Sequence, residues 1–161
     1  MAGITMRRFA DVAALDEAVA AILKSHFERD HMFPHAVMLA GGKTPFGAYR
    51  LLAGGTCVPS ASLRVFFSDE RLVPLSSPAS NCGNAQFLFS ALGMDPGQII
   101  GVQTGLERDE AAARFDADLK NFINGNGRIT LGLLGLGADG HTASLFSAGD
   151  LERSRERYTV A

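Results

Sequence analysis

Apolar and polar positions along the chain follow two periods that alternate. Between Asp11 and Asp30, Val12, Leu15, Val19, Ile22, Leu23 and Phe27 recur at helical spacing on one face, with Asp11 placed as N-cap. Ala36–Ala40 is a short apolar run stopped by Gly41 and Gly42, the pattern of a buried strand. Thr44-Pro45 predicts a helix start, with Thr44 as cap and Pro45 in the first helical position; the helix runs to about Ala53 and stops at Gly54-Gly55.

Leu63–Phe67 reads as a second strand, Asn81–Leu92 as a helix closed by Gly93, and Gln98–Val102 as a short strand. Glu107–Ile123 is a helix that turns Ala111, Phe115, Leu119 and Phe122 toward a core. After a turn at Asn124–Gly127 comes a third strong strand, Ile129–Leu134, and Tyr158–Ala161 has the pattern of a further strand's opening. Strands alternating with helices imply βαβ units, hence an α/β fold with a Rossmann-like open parallel sheet flanked by helices. No repeat or linker divides the pattern, so residues 1–161 are expected to form one domain.

Composition narrows the function classes. A chain of 161 residues, 47% of them hydrophobic, can bury one core. Fifteen Lys+Arg against 17 Asp+Glu give a formal charge of -2, which excludes a global basic field for nucleic acid. No apolar run reaches the roughly 18 residues of a membrane span. Met6-Arg7-Arg8-Phe9 has the look of a secretion signal's opening, but Asp11, Asp16 and Glu17 interrupt the stretch that should be purely apolar, so no signal is expected there. Cys57 and Cys82 stand in no metal-ligand spacing, which favours a reduced, cytoplasmic setting.

Three polar, glycine-rich segments each come after a predicted strand: Gly41-Gly42-Lys43-Thr44-Pro45, Ser68-Asp69-Glu70-Arg71 and Gly135–His141. In open α/β sheets ligands bind beyond the carboxyl ends of the strands, so all three are expected to face one pocket. Two motif readings fail. Gly42-Lys43-Thr44 echoes a P-loop, but the glycine needed five positions before Gly42 is Val37. Gly135-Leu136-Gly137-Ala138-Asp139-Gly140 fits G-x-G-x-x-G, yet a dinucleotide site needs a second strand and an acidic residue about 20 positions on, and Asp139 would sit against the pyrophosphate.

What remains for Gly41, Gly42, Lys43 and Thr44 is a turn exposing backbone N–H groups at a helix start, with the lysine's charge added, which suits a phosphate. The alternative is a plain strand-to-helix turn with a solvated lysine. Of Asp69, Glu70 and Arg71, only Asp69 and Arg71 can share a side in an extended loop. They suit sugar hydroxyls or a developing oxyanion; a solvated charge run is the bland reading. His141 is the candidate general base, since an ordinary imidazole is mostly neutral at pH 7 and can take a proton from water. Asp139, two residues earlier, is placed to orient it or to hold substrate. His31 and His35 are four apart, but Pro34 breaks a helical metal pair, and no metal site is expected.

Together these segments resemble the 6-phosphogluconolactonase family, within the wider group that includes glucosamine-6-phosphate deaminase. Leu39–Pro45 resembles the first glycine turn, Phe67–Pro74 with Ser80-Asn81 the second motif, and Leu134–Phe146 the third. The resemblance implies hydrolysis of 6-phospho-D-glucono-1,5-lactone to 6-phosphogluconate in the oxidative pentose phosphate pathway. It implies no metal or organic cofactor, a small sugar-phosphate lactone as partner, and neither nucleic acid nor membrane.

In that reading His141 is the base, with Asp139 and Arg71 beside it as catalytic residues. Gly41, Gly42, Lys43, Thr44, Asp69, Asn81 and Gly137 bind substrate. The deaminases carry tyrosine where Arg71 stands and glutamate where Phe146 stands, which favours the lactonase. Family members continue through a Lys-Pro-Pro-like stretch, a downstream Arg and a closing helix, so the resemblance implies a chain shortened at its C-terminus and an incomplete sheet. The alternatives are a non-catalytic sugar-phosphate-binding module, an inactive fragment, or an isomerase of the deaminase kind.

Overall fold

The computed structural model describes residues 3–161. Helix α1, Val12–Phe27, starts where expected: the Asp11 carboxylate accepts from Ala14 N at 2.8 Å. It buries Ala20, Leu23 and Phe27, while Val12 and Ile22 of the anticipated face stay exposed. Strand β1 spans His35–Leu39, and α2, Phe46–Gly54, comes next. Thr44 is not its cap. Pro45 takes that position one residue later than expected, and with no side-chain acceptor to offer it leaves the start to Phe46 N→Lys43 O and Tyr49 N→Pro45 O backbone bonds.

Strand β2, Leu63–Phe67, is as anticipated. The single helix expected over Asn81–Leu92 is instead two, α3 (Asn81–Asn84) and α4 (Gln86–Ala91), broken at Ala85 with φ -95° and ψ 1°. The break comes where the preceding loop folds over the helix: the Leu75 carbonyl lies so close to Gly83 that a Cβ there would overlap it. The expected strand at Gln98–Val102 is reduced to one parallel bridge, Val65 to Ile99. Gln98 is taken up by a single 3-10 turn, Pro96–Gln98, where its amide donates to Asp95 O, and its carboxamide accepts from Asp95 N and donates to Ser60 O and Leu63 O.

Helix α5 is Arg108–Asn124, strand β3 is Arg128–Gly132, and a short helix α6, Ala148–Arg153, adds an element the hydrophobic pattern did not reveal. Tyr158–Ala161 does not open a strand. It runs against α5, where the buried Asp116 carboxylate accepts from Tyr158 N (2.7 Å) and Thr159 N, and Thr159 donates its hydroxyl to Ala112 O. No helix among the described residues is long and apolar enough to cross a membrane.

The sheet order is β2-β1-β3 with both pairings parallel, as expected for an open α/β sheet. Period-2 alternation divides its two faces. Val37 and Leu39 of β1 and Leu63, Val65 and Phe67 of β2 point into the larger core, against Leu23 and Phe27 of α1, Tyr49 and Leu52 of α2, and Leu88 and Phe89 of α4. Ala36 and Phe66 point the other way, to Phe115 and Leu119 of α5. β3 is an edge strand, and it bulges at Thr130, so that Ile129 pairs with Ala36 and Leu131 with Val37.

At the amino end of the sheet His35 is fully buried. Its Nε2 faces the His26 carbonyl at 3.1 Å, which only accepts, so that nitrogen carries the proton and Nδ1 takes the Ser62 hydroxyl. Burial lowers the pKa of His35, against the pull of the His26 carbonyl, with His31 lowering it further and Asp30 opposing. His26 is lowered by burial too, and by Arg29 and His31. The folded chain therefore binds fewer protons than the unfolded one below about pH 6.5, and stability is full above that pH and falls beneath it. Thermal midpoints should be level between pH 7 and 8 and drop from pH 6.5 to 5; His35→Gln should flatten part of that slope, whereas equal midpoints at pH 7 and 5 would contradict the assignment.

Candidate active site

Because the three strands are parallel, the segments after β1, β2 and β3 all leave from one edge of the sheet. The first is anchored by the buried Tyr49 of α2, whose hydroxyl donates to Ala40 O at 2.9 Å. Gly42 then takes φ +80°, a left-handed turn that favours glycine. Gly41 lies directly against the Asn81 carboxamide, where a Cβ would overlap it. Lys43 and Thr44 are exposed at the tip.

Asn81, nearly buried at 6% exposure, joins the first segment to the second. Its Oδ1 accepts from Gly42 N at 3.4 Å, and its Nδ2 donates to Asp69 O at 2.8 Å. Asp69 in turn joins the second segment to the third. Its Oδ2 accepts from Ser144 Oγ at 2.6 Å, and its Oδ1 accepts from Ser68 Oγ at 3.2 Å. Ser144 reaches Asp69 from a left-handed pair, Ala143 at φ 50° and Ser144 at φ 58°, a conformation costly for residues with a Cβ.

In the third segment Gly137 N donates to His141 O and Gly140 N to Gly137 O, closing a tight loop with Gly140 at φ +88°. Asp139 and His141 meet through Oδ1 and Nδ1 at 2.5 Å. Hydrogen bonds from the His141 side chain and backbone hold the Asp139 carboxyl below the usual carboxylate range. With Nδ1 engaged by a carboxylate, Nε2 is the nitrogen left to accept a proton. Phe146 lies on the imidazole, ring centroids 4.5 Å apart, and a Cβ at Gly137 would overlap the same ring.

Asp69, Glu70 and Arg71 together with Thr142–Leu145 line a cleft of about 760 Å³. Of the three expected segments only Ser68–Arg71 belongs to that lining; among the described residues, Gly41–Pro45 and Gly135–His141 do not, so the expected meeting of all three in one cleft is not met. The hydrogen-bonded chain Gly42–Asn81–Asp69–Ser144 is what connects them. Sequence reasoning missed Glu70 and Ser144 as parts of this arrangement. Glu70 does not alternate away from its neighbours, because the chain turns there: its carboxylate accepts from the next residue's amide, Arg71 N, at 2.7 Å.

A family model described as glucosamine-6-phosphate isomerases/6-phosphogluconolactonase matches residues 9–161. A 6-phosphogluconolactonase of Thermotoga maritima is 37% identical over 126 residues, covering 78% of this chain and 53% of that protein. One from Chlamydia pneumoniae is 34% identical over 113 residues, covering 69% of this chain and 43% of its own. The chain thus spans about half the length of the curated relatives it matches. The crystal structure of 6-phosphogluconolactonase from Thermotoga maritima superposes with a TM-score of 0.71 at 30% identity, over 88% of this chain and 62% of that one.

If Gly137 is glycine because the His141 ring occupies the space of its Cβ, Gly137→Ala will displace the imidazole and break its bond to Asp139. The His141 side-chain ¹⁵N resonances should then shift, while Gly135→Ala, where a Cβ meets open space, leaves them in place. Equal spectra for the two variants would show that the ring is held some other way.

Proposed function

The chain belongs to the glucosamine-6-phosphate isomerase/6-phosphogluconolactonase family, and from that premise we propose that it takes part in hydrolysing 6-phospho-D-glucono-1,5-lactone to 6-phosphogluconate, with His141 as general base. The observation that carries this reading is the Asp139–His141 pair, held in a closed glycine loop at the carboxyl edge of a parallel sheet. The Asp139 carboxylate accepts a hydrogen bond from Nδ1–H and leaves Nε2 free to take a proton from water. The resulting hydroxide adds to the lactone carbonyl, and a tetrahedral oxyanion forms. The ring C–O bond then breaks, and the departing ring oxygen recovers the proton from His141. The reaction consumes one water and needs no redox partner.

Arg71, exposed at the mouth of the cleft, supplies a cation for the oxyanion or the phosphate. Gly41, Gly42, Lys43 and Thr44 form the phosphate turn: Gly42 N is held by Asn81, and the Lys43 and Thr44 amides with the Lys43 ammonium are offered to the anion. Asp69, Asn81 and Gly137 complete the substrate site, Gly137 by leaving room for the His141 ring to lie against its backbone. Phe146 favours lactone hydrolysis over aldose–ketose isomerisation. Isomerisation of an amino sugar needs a further acid–base group to move its protons, and the residue lying on the His141 ring here is a phenyl group with no proton to exchange. We also assign residues 1–161 to one sugar-phosphate-binding α/β unit acting in the cytoplasm, a setting that suits two buried, free thiols at Cys57 and Cys82.

General-base help is worth about 10²–10⁴-fold in rate. His141→Asn should lower lactone hydrolysis by about that factor with the fold intact, read in a rapid assay corrected for spontaneous ring opening. Wild-type turnover in the variant would make His141 a structural residue and overturn the mechanism.

A further inference from the structure

Glu70 has no part in the proposed hydrolysis, yet its carboxylate accepts four hydrogen bonds. Oε1 accepts from Arg71 N at 2.7 Å and from Asn81 N at 2.7 Å. Oε2 accepts from Cys82 N at 2.8 Å and from Ser80 Oγ at 3.4 Å. The amides of Asn81 and Cys82 open α3, where backbone donors have no partner within the helix. Ser80 Oγ takes the next one, Gly83 N, at 2.9 Å. Glu70 and Ser80 together therefore satisfy the first three amides of α3, reaching them across the loop between Arg71 and Ala79.

That cap has a consequence beyond the helix. With its backbone amide held by Glu70, Asn81 is free to direct its whole carboxamide at the two neighbouring segments, Gly42 N on one side and Asp69 O on the other. The same carboxylate oxygen that holds Asn81 N holds Arg71 N. One ionised group thus sets the positions of two proposed substrate-site residues, and through Asn81 it sets the Gly41–Gly42 turn, which it does not touch. We infer that Glu70 is a positioning residue for the substrate site: it fixes Asn81 and Arg71 relative to each other, and so fixes the first polar segment against the second. The effect on turnover rests on the lactonase reading; the effect on the Gly42 amide does not.

The test uses the whole ¹⁵N-labelled chain and E70Q, which keeps the shape of the side chain and removes its charge. The Asn81 and Cys82 amide resonances should move, and so should that of Gly42. Lactone hydrolysis should lose about 10- to 100-fold in kcat/KM, carried mainly by KM. Asn84→Ala, which removes a bond from the same helix to Pro78 O, should leave KM and the Gly42 amide unchanged. Glu70→Asp keeps the charge but shortens its reach, and serves with the same readouts if E70Q does not fold. A Gly42 amide unmoved while Asn81 and Cys82 respond, or a parental KM in E70Q, would make Glu70 a helix cap alone and overturn the inference. A parental chain without lactonase activity whose Gly42 amide still moves in E70Q would refute the functional reading and uphold the positioning role.

Discussion

Three strands running the same way leave three carboxyl ends at one edge of a sheet, and the segments leaving them must begin there. Everything proposed for the chemistry depends on that constraint. With β1 in the middle, the glycine turn after it has the Asp69–Arg71 segment on one side and the His141 loop on the other. The parallel ladders are held from beneath by apolar packing on both faces: α1, α2 and α4 cover the larger core, and α5 covers the smaller. Helices on both faces are what an all-parallel sheet needs, because each strand presents apolar side chains to both sides.

Above the strand ends the kind of interaction changes. The three segments after the strands are connected by hydrogen bonds, from Gly42 through Asn81 and Asp69 to Ser144. Such bonds stabilise by only about 0.5–1.5 kcal/mol each, but a partner removed from a buried donor costs more than the bond contributed. Asn81 therefore matters more for geometry than for stability. Its buried carboxamide needs both neighbours in place, so a shift in either segment is felt by the other. His141 obeys a different logic: its orientation comes from Asp139 two residues away and from the absence of a Cβ at Gly137.

The strands and long helices were legible in the sequence because their signals are local. Ala36–Ala40 and Leu63–Phe67 are unbroken apolar runs apart from Arg64, and each lies within a residue of the strand observed. The failures trace to contacts made far along the chain. The break at Ala85 accompanies the Leu75 carbonyl lying over Gly83; the strand expected at Gln98–Val102 gives way at its start to a 3-10 turn whose Gln98 carboxamide reaches back to Ser60 and Leu63; and Tyr158–Ala161 is taken by Asp116 rather than by the sheet. In the site, His141 and Asp139 could be paired from spacing alone. Glu70 could not, because its partners Ser80, Asn81 and Cys82 lie across a loop, and nothing in a run of adjacent charges distinguishes a buried cap from a solvated one.

The central claim is that the three segments act as one substrate site although only the second of them lines the visible cleft. The most direct measurement is a titration of the ¹⁵N-labelled chain with 6-phosphogluconate, the product of the proposed reaction, tracking every backbone amide. Gly41–Thr44, Asp69–Arg71 and Gly137–Ser144 should shift together, with one common dissociation constant. Shifts confined to α5 and to Tyr158–Ala161, which runs against it, with the glycine turn and the His141 loop unmoved, would contradict the claim.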